Sequence, residues 1–314
     1  MAEEPGKILL PDGTVASAEE ETTTERGKDR SWEEGQYIPV IIKRSDEVRR
    51  HPDDSLEHAI DDGLEQLKRP AVSLFLSAIA AGLTVGFSAM AVAIVTQAVA
   101  PLETTLLTRI ATAVVYPLGF VLCVMSGAQL YTEHTATAVY PLLDRQATFK
   151  MLLRLWVIVI AGNLLGAAAS ASLLTMTETV IQAKAGYVAI GHHLVEFDAF
   201  SLIVSALLAG WLMALGAWLV ISTRIGFSQM VSIYVVTFLI GLGGLHHSIA
   251  GSAEMFTALF ISDEFTLRQT MRFIGLALFG NLIGGSLFVG VLNYAHIRKT
   301  QPASEESSIK TEDS

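Results

Sequence analysis

Cysteine is almost missing from this chain of 314 residues: Cys123 stands alone, so no intrachain disulfide can form. No H-E-x-x-H metal motif and no glycine-rich cofactor fingerprint occurs either, and we therefore expect no bound metal or cofactor. The first residues lead into polar, acidic sequence rather than an apolar run, so we also expect no secretory signal peptide.

Charged residues are scarce over most of the chain. Residues 71–297 hold only 9 acidic and 8 basic side chains, whereas residues 1–70 hold 18 and 10, and residues 298–314 hold 4 and 3. The net charge of −10 therefore comes mainly from the N-terminal region, and it does not indicate a nucleic-acid partner. With 51% hydrophobic residues, the composition indicates a polytopic protein of a lipid bilayer.

The distribution of apolar residues separates a transmembrane domain from three flanking segments. Residues 1–52 are rich in Glu, Thr, Arg and Asp, and we expect a disordered acidic tail there. Residues 53–69 place leucine and isoleucine at spacings of three and four, which predicts an amphipathic helix at the membrane surface. The transmembrane domain is expected at residues 70–297, and a second tail at residues 298–314.

Six apolar stretches of that domain are long enough to cross a bilayer core, which takes about 20 helical residues. The uninterrupted ones are residues 71–98, 151–175, 199–222 and about 273–296. The second stretch, from about residue 110 to 143, and the fifth, from about 227 to 261, each contain a polar insertion.

The two insertions combine ionisable residues with glycine. Residues 126–135 read SGAQLYTEHT, and residues 243–257 read GGLHHSIAGSAEMFT. Ionisable groups at membrane depth cost about 2.5–3.5 kcal/mol each on insertion scales, and they usually face a cavity or a partner. A helix can break there only where the freed backbone is buried in protein or lines water. The pattern predicts two broken helices beside a permeation path.

Lysine and arginine lie mainly on one side of the predicted spans. Some lie between spans two and three, between four and five, and after span six, and the six nearest to the start of span one are Lys43, Arg44, Arg49, Arg50, Lys68 and Arg69. The opposite side has only Arg109, Lys184, Arg268 and Arg272. The positive-inside rule then predicts that both termini are cytoplasmic. We expect the protein in the plasma (inner) membrane.

Two internal matches indicate a repeat. GNLLG at residues 162–166 recurs as GNLIG at residues 280–284, an offset of 118 (280 − 162 = 118). AQLYT at residues 128–132 resembles AEMFT at residues 253–257, an offset of 125 (253 − 128 = 125). We interpret spans one to three and four to six as two copies of one unit. Because three is an odd number, the copies must have opposite orientations, which is a transport architecture.

Together, SGAQLYTEHT, GNLLG, LHHSIA (245–250) and GNLIGG (280–285) resemble the motifs of the formate/nitrite transporter family, over roughly residues 60–297. The resemblance implies an all-α, aquaporin-like fold of six transmembrane helices, built as two inverted three-helix repeats with helices two and five broken. It implies a homopentamer with one pore in each protomer. It also implies transport of a small monovalent anion or its weak acid, as in formate or nitrite transport.

The family carries a Leu-Phe-Thr motif in one break and a His-Ser-Ile-Ala-Asn motif, with a central pore histidine, in the other. Here Leu130-Tyr131-Thr132 matches the first motif, and His247-Ser248-Ile249-Ala250 matches the second, with Gly251 in place of Asn. The resemblance therefore implies Thr132 and His247 as substrate-contacting pore residues. A histidine suits proton exchange because its unperturbed pKa is about 6.5. The residues that match the family's hydrophobic constrictions are Tyr116, Phe120, Leu130, Tyr131 and Ile240.

Six further polar residues are expected to act electrostatically or as support for the breaks: Glu133, His134, His246, Glu254, Asn163 and Asn281. His246 neighbours His247 and is expected to point into protein. Glu133 and Glu254 are expected at related places in the two repeats, where they would accept backbone N–H groups at the start of the resumed half-helices. A pore-facing position for these glutamates is the alternative, and His134 is a candidate partner for either. The two asparagines are expected to bond backbone groups of the broken spans.

Three other functions are compatible with parts of the pattern. A pore for a neutral solute or a different weak acid fits the tyrosine and glutamate departures from the family motif. A membrane metal enzyme would need the histidines and glutamates to converge on one divalent ion. A sensor that works through the long N-terminal tail would need no permeation path.

Overall fold

The computed structural model describes residues 52–223 and 226–300, and every regular element within these ranges is helical. The two expected tails, residues 1–52 and 298–314, lie almost entirely outside the described residues. The first helix, α1, spans Pro52–Lys68.

The membrane domain contains five helices that are long and apolar enough to cross a bilayer, and one bent helix pair that completes a sixth span. The first half comprises α2 (Ala71–Val99), α3 (Thr105–Val115), α4 (Pro117–Met125), α5 (His134–Thr137), α6 (Tyr140–Leu143) and α7 (Phe149–Met176). Two connecting helices follow, α8 (Glu178–Ile181) and α9 (Lys184–Val195). The second half comprises α10 (Ala199–Ser222), α11 (Phe227–Gly243), α12 (Ser248–Ile261), α13 (Leu267–Gly285) and α14 (Leu292–Thr300).

The six predicted spans are present in the predicted order. Span one is α2, span two contains α3 and α4, span three is α7, and span four is α10. Span five is the bent pair of α11 and α12, and span six runs from α13 into α14 through a π-helical stretch at Ser286–Val291.

Helix α1 packs through its apolar face against one end of this bundle, the end that the sequence predicts to face the cytoplasm. Leu56 and Ile60 are fully buried in a cluster with Tyr140 and Ile297. An ion-pair bridge reinforces this packing, since Arg298 lies 2.8 Å from Glu57 and 2.7 Å from Asp144. The N-terminal and C-terminal helices are therefore joined at one end of the protein.

Span two differs from its prediction in the part that follows the break. Helices α3 and α4 already form an apolar span of 21 residues, and only the two short helical turns α5 and α6 come after the break. Pro141 in α6 has no N–H and its ring excludes a helical bond to the carbonyl of Thr137, which prevents one continuous half-helix. That carbonyl instead lies against Gly63 of α1, where a Cβ atom would overlap it.

The connecting helix α9 was not predicted from the sequence. It buries Tyr187, Ile190 and Leu194, which lie at spacings of three and four. That spacing is typical of an amphipathic helix and was the available signal, although 12 residues are too few to cross a membrane.

The two halves pack their outer spans in the same way. In the first half, α2 and α7 approach closely because Gly82 faces the carbonyl of Asn163, and a Cβ atom there would overlap it. In the second half, α10 and α13 approach closely because Gly210 faces the carbonyl of Asn281 in the same manner. Small residues at helix contacts are the usual means of close packing in membranes. The predicted repeat is thus visible in the packing.

A pair of arginines shows the same repeat at the ends of the spans. Arg154 of α7 donates to the carbonyl of Arg69, two residues before α2 begins, at 3.1 Å. Arg272 of α13 donates to the carbonyl of Phe197, two residues before α10 begins, at 3.0 Å. Each arginine therefore ties the third span of its half to the start of the first.

Candidate permeation site

The break in span five is confined to residues 244–247, between α11 and α12, which are inclined by 53°. Gly244 ends α11 with a φ of +58°, in the left-handed region that glycine adopts at low cost. Gly127 has a φ of +69° in the break of span two. Both breaks therefore turn the backbone at a left-handed glycine.

His247 lies at the N-cap position of α12, and its ring is fixed from two sides. Its Nδ1 accepts a hydrogen bond from the N–H of Ala250 at 3.2 Å. An accepting nitrogen carries no proton, so we infer that the neutral ring is protonated on Nε2. Nε2 lies 2.9 Å from Thr132 Oγ1 and donates to it, and both side chains are buried. The Thr132 hydroxyl can still donate its own hydrogen to a second acceptor.

Asn281 of α13 holds the break of span five through three hydrogen bonds. Its Oδ1 accepts from the N–H of Ser248 at 2.8 Å, and its Nδ2 donates to the carbonyls of His246 at 3.1 Å and Ala206 at 2.6 Å. Asn281 is fully buried, so these bonds satisfy backbone groups that the broken helix leaves without intrahelical partners.

Asn163 of α7 makes the equivalent three bonds at the break of span two. Its Oδ1 accepts from the N–H of Tyr131 at 2.9 Å, and its Nδ2 donates to the carbonyls of Gln129 and Ala78, each at 2.8 Å. Both asparagines thus bond the backbone of the breaks, as their sequence context led us to expect.

These bonds correct the register that we assigned to the breaks. The asparagines pair Gln129 with His246 and Tyr131 with Ser248, an offset of 117 (248 − 131 = 117). The left-handed glycines have the same offset (244 − 127 = 117). The expected match at offset 125 is therefore wrong, because it followed side-chain type and not the bonding of the backbone.

The two glutamates consequently do not occupy equivalent positions, and neither caps a half-helix as we expected. Glu133 precedes α5 but makes no side-chain cap bond, and Glu254 lies in the second turn of α12, whose cap is His247. His134 pairs with neither of them; its Nδ1 lies 3.4 Å from Thr137 Oγ1, and its Nε2 is buried without a partner among the described residues.

Apolar side chains surround the Thr132–His247 pair. The Phe120 ring lies edge-on to His247, with a centroid distance of 4.9 Å, and Tyr116 lies 5.2 Å from Phe120. Leu130 and Ile240 are fully buried as well, and Tyr131 nearly so. The structure therefore places the residues matched to the constrictions close to the histidine or within the adjoining core.

A cavity of about 280 Å³ approaches the centre from the side of α1, and we call it the proximal cavity. Its polar and charged lining residues are Asp62, Gln66, Arg69, Gln129, Glu133, His134 and Thr137. A second cavity, of about 340 Å³, approaches from the opposite end of α2, and we call it the distal cavity. Its polar and charged lining includes Arg109, Tyr116, His193, His247 and Glu254.

The two cavities share no lining residue, and Phe120, Leu130, Tyr131 and Thr132 border neither of them. A segment that contains Phe120, Leu130, Tyr131 and Thr132 therefore separates the two cavities, and His247 lies between this segment and the distal cavity. Such an arrangement can pass a small uncharged solute and can offer it a hydrogen bond or a proton at the centre. It strongly disfavours an ion, because burying an unpaired charge is costly.

His246 points away from this centre, into protein. Its Nδ1 lies 2.8 Å from Ser205 Oγ, and its ring stacks on His193 at a centroid distance of 5.6 Å. His193 of α9 also reaches the carbonyl of Gly244 at 3.2 Å, beside the break. Neither Ser205 nor His193 was among the predicted site residues. Ser205 lies in an apolar span without a motif, so only the three-dimensional contact identifies it.

Known proteins are similar to this chain over the part that contains α1 and the membrane spans. The family model described as formate/nitrite transporter matches residues 53–295. The chain belongs to the formate/nitrite transporter family. It is 31% identical over 245 residues to the inner membrane protein YfdC of Escherichia coli strain K12, covering 77% of each chain. It is 27% identical over 202 residues to the formate channel FocA of the same strain, covering 56% of this chain and 70% of FocA.

Solved structures of this family share the fold. A chain described as an FNT family ion channel matches with a TM-score of 0.70 at 17% identity, covering 78% of this chain and 99% of that one. A pentameric formate channel with formate bound matches with a TM-score of 0.61 at 21% identity, covering 73% and 98%. The predicted family and the aquaporin-like fold are thereby confirmed. As a member of the formate/nitrite transporter family, the chain is an integral membrane transport protein and not an enzyme.

Proposed function

We propose that this protein is a channel or transporter for small monovalent anions and their weak acids, of the size of formate and nitrite. Family membership and the names of the similar formate channels support the substrate class. The observation that carries the proposal is the contact of 2.9 Å between Thr132 Oγ1, in the break of span two, and His247 Nε2, at the break of span five.

The proposed central step is proton exchange in the closed segment. A carboxylate or nitrite ion that entered it would lose its hydration, and apolar side chains such as Phe120 and Leu130 return little in exchange. Thr132 can donate its hydroxyl hydrogen to a substrate oxygen while it accepts from His247. For this step the ring first takes up a proton on Nδ1, which displaces the bond from the Ala250 N–H. The Nε2–H bond of the resulting imidazolium then breaks as an O–H bond forms on the substrate, which leaves both the substrate and the ring uncharged.

We infer that the working unit is a homopentamer with one such pore in each protomer. The similar solved structure titled as a pentameric formate channel supports this assembly. A protomer also exposes many large apolar side chains along its spans, for instance Val72, Leu153 and Phe200, which need lipid or neighbouring protomers as a cover. Native mass spectrometry in detergent should show five copies; monomers or dimers alone would contradict the assembly.

We propose that residues 70–297 form the transport domain and that the protein lies in the plasma (inner) membrane. Both termini then face the cytoplasm. The excess of Lys and Arg on that side supports the orientation, and a relative named as an inner membrane protein supports the location. Helix α1 then lies at the cytoplasmic surface, and the proximal cavity opens to the cytoplasm.

The function is tested by flux into proteoliposomes that contain the full chain. Formate, nitrite, lactate and the neutral solutes glycerol and urea would be offered at external pH values of about 5.5 and 7.5. We expect uptake of at least one weak acid, faster at the lower pH because the protons that the central exchange consumes are more abundant there. Uptake of a neutral solute with no weak acid would instead support the alternative of a neutral-solute pore.

A further inference from the structure

Two carboxylates flank the central pair, one on each side of it, and the central proton exchange makes use of neither. Glu133 follows Thr132 directly in the chain and lines the proximal cavity. Glu254 comes seven residues, or two helical turns, after His247 and lines the distal cavity together with it. A spacing of seven residues puts both side chains on one face of α12.

Within the described ranges, no ion pair or hydrogen bond reaches the side-chain oxygens of Glu133 or Glu254. Glu254 is only 6% exposed, and its exposure is to the cavity. Carboxylates at such depth are costly, and they are typical of groups that act on a permeating species.

Other charged or titratable groups share the two cavities. Asp62, Arg69 and His134 line the proximal cavity with Glu133. Arg109, Tyr116, His193 and His247 line the distal cavity with Glu254. The arginines provide one fixed positive charge in each cavity, which attracts an anion to its mouth. Among these groups, Glu133 is next to Thr132 in the chain, and Glu254 lies on the same face of α12 as His247.

We propose that Glu133 and Glu254 are the charge-selectivity residues of this pore, so that an anion that cannot take up a proton is held back in the cavities while a weak acid passes. The proposal rests on the proposed weak-acid function and adds to it the residues that reject the anion. Each glutamate acts on the substrate in its own cavity, and the pair makes the rejection effective in both directions of flux.

The selectivity holds in either protonation state of the glutamates. An ionised carboxylate repels an anion that approaches the closed segment. A protonated one transfers its proton to a weak-acid anion: the O–H bond of the glutamate breaks, an O–H bond forms on the substrate, and a proton taken up from bulk solution through the cavity restores the glutamate. An anion of a strong acid, such as nitrate, cannot keep that proton and remains charged. The structure therefore favours formate and nitrite over nitrate.

The test compares formate with nitrate in proteoliposomes of the full chain, with the membrane potential held by potassium and valinomycin. The wild-type protein should pass formate at least tenfold faster than nitrate. Glu254→Gln and Glu133→Gln should each raise the nitrate-to-formate ratio roughly tenfold, the order expected when one unit charge within about 10 Å of the path is removed. Glu254→Asp, which retains the carboxylate, should keep the ratio near that of the wild type.

Glu264→Gln is the matched control, because Glu264 lines neither the proximal nor the distal cavity. Glu264 lies in the loop between α12 and α13, where its carboxylate is 2.7 Å from His192 Nε2. The substitution should leave the ratio unchanged. The proposal is overturned if the wild type passes nitrate as readily as formate, or if both assembled glutamine variants keep the wild-type ratio. A wild type that passes no weak acid contradicts the proposed function itself, which separates the two failures.

Discussion

Asn163 and Asn281 make the same three hydrogen bonds on opposite halves of the protein, each to one N–H and one carbonyl of a helix break and to one carbonyl of a neighbouring span. In each asparagine the side-chain oxygen accepts one hydrogen bond and the NH2 group donates two. The two breaks, and hence the distance between Thr132 and His247, depend on this pair.

Replacement of Asn281 by leucine should lower stability strongly. It would leave the buried N–H of Ser248 and the carbonyls of His246 and Ala206 without partners, at about 1–3 kcal/mol for each group. The measurement is the thermal unfolding temperature of the detergent-solubilised protein. Asn163→Leu should lose a similar amount because its bonds are equivalent.

Ser172→Ala is the control for the asparagine variants. Ser172 is exposed on span three and donates one hydrogen bond within its own helix, to Ala168 at 2.9 Å. The substitution should change the unfolding temperature little. An Asn281 variant as stable as Ser172→Ala would show that the breaks do not need the asparagine.

Close packing at Gly210 predicts a second sensitive position. A Cβ atom there would overlap the backbone of Asn281, which a rigid helix cannot move aside. Gly210→Ala should therefore destabilise the protein by about 1–3 kcal/mol through overpacking. Gly275→Ala is the matched control, because a Cβ atom at that helical position meets nothing within 4 Å. Equal unfolding temperatures for the two variants would contradict the predicted contact.

Asp198 predicts an acid-sensitive contribution to stability at the start of span four. Its carboxylate accepts hydrogen bonds from the Ser201 hydroxyl at 2.6 Å and from the N–H groups of Ser201 and Phe200. These bonds, the hydroxyl foremost, lower the pKa of Asp198 below its usual value. A carboxylate with a lowered folded-state pKa stabilises the protein above its unfolded pKa of about 3.9, and this is lost as pH falls through the folded-state pKa.

Asp198→Ala should accordingly lower the unfolding temperature at about pH 7, and the difference from the wild type should shrink as pH falls below about 4. Asp198→Asn keeps one accepting oxygen for the helix N-terminus but cannot titrate, so it should lose less at pH 7. A difference between wild type and Asp198→Ala that is the same at about pH 3 and pH 7 would show that the charge plays no part.

The sequence allowed the spans and the two breaks to be predicted because polar residues within apolar stretches are conspicuous. The asparagine repeat was also readable, since GNLLG and GNLIG are near-identical. The register of the breaks was not, because Tyr131 and Ser248 share a bonding role and no side-chain likeness. The expectation that Glu133 and Glu254 cap half-helices was wrong for a related reason: Glu133 makes no cap bond, and Glu254 lies in the second turn of α12, whose cap is His247.

The contacts of His193 and Ser205 with the second break lay beyond sequence reasoning for a different reason. They arise from the packing of α9 and α10 against residues 244–246, which are more than 40 positions away in the chain. A short helix such as α9 has too few residues for its apolar spacing to stand out from the flanking spans.

The central claim is that His247 exchanges a proton with a weak-acid substrate, and the flux of the His247→Asn variant tests it most directly. Asparagine is a good helix N-cap and can replace the bond to Ala250, so the fold should be kept. It cannot titrate near neutral pH, so most of the pH dependence of flux should be lost. His246→Asn should have the smaller effect, because His246 faces Ser205 and His193.

Thr132→Val completes the set, since it removes only the hydroxyl that His247 contacts and should reduce flux at every pH. Formate uptake would be measured for the wild type and the three variants at about pH 5.5 and 7.5, with assembly checked for each. The account predicts that the ratio of the two uptake rates falls markedly towards one in His247→Asn and changes little in His246→Asn. An assembled His247→Asn protein with the wild-type ratio would contradict the proton-exchange role.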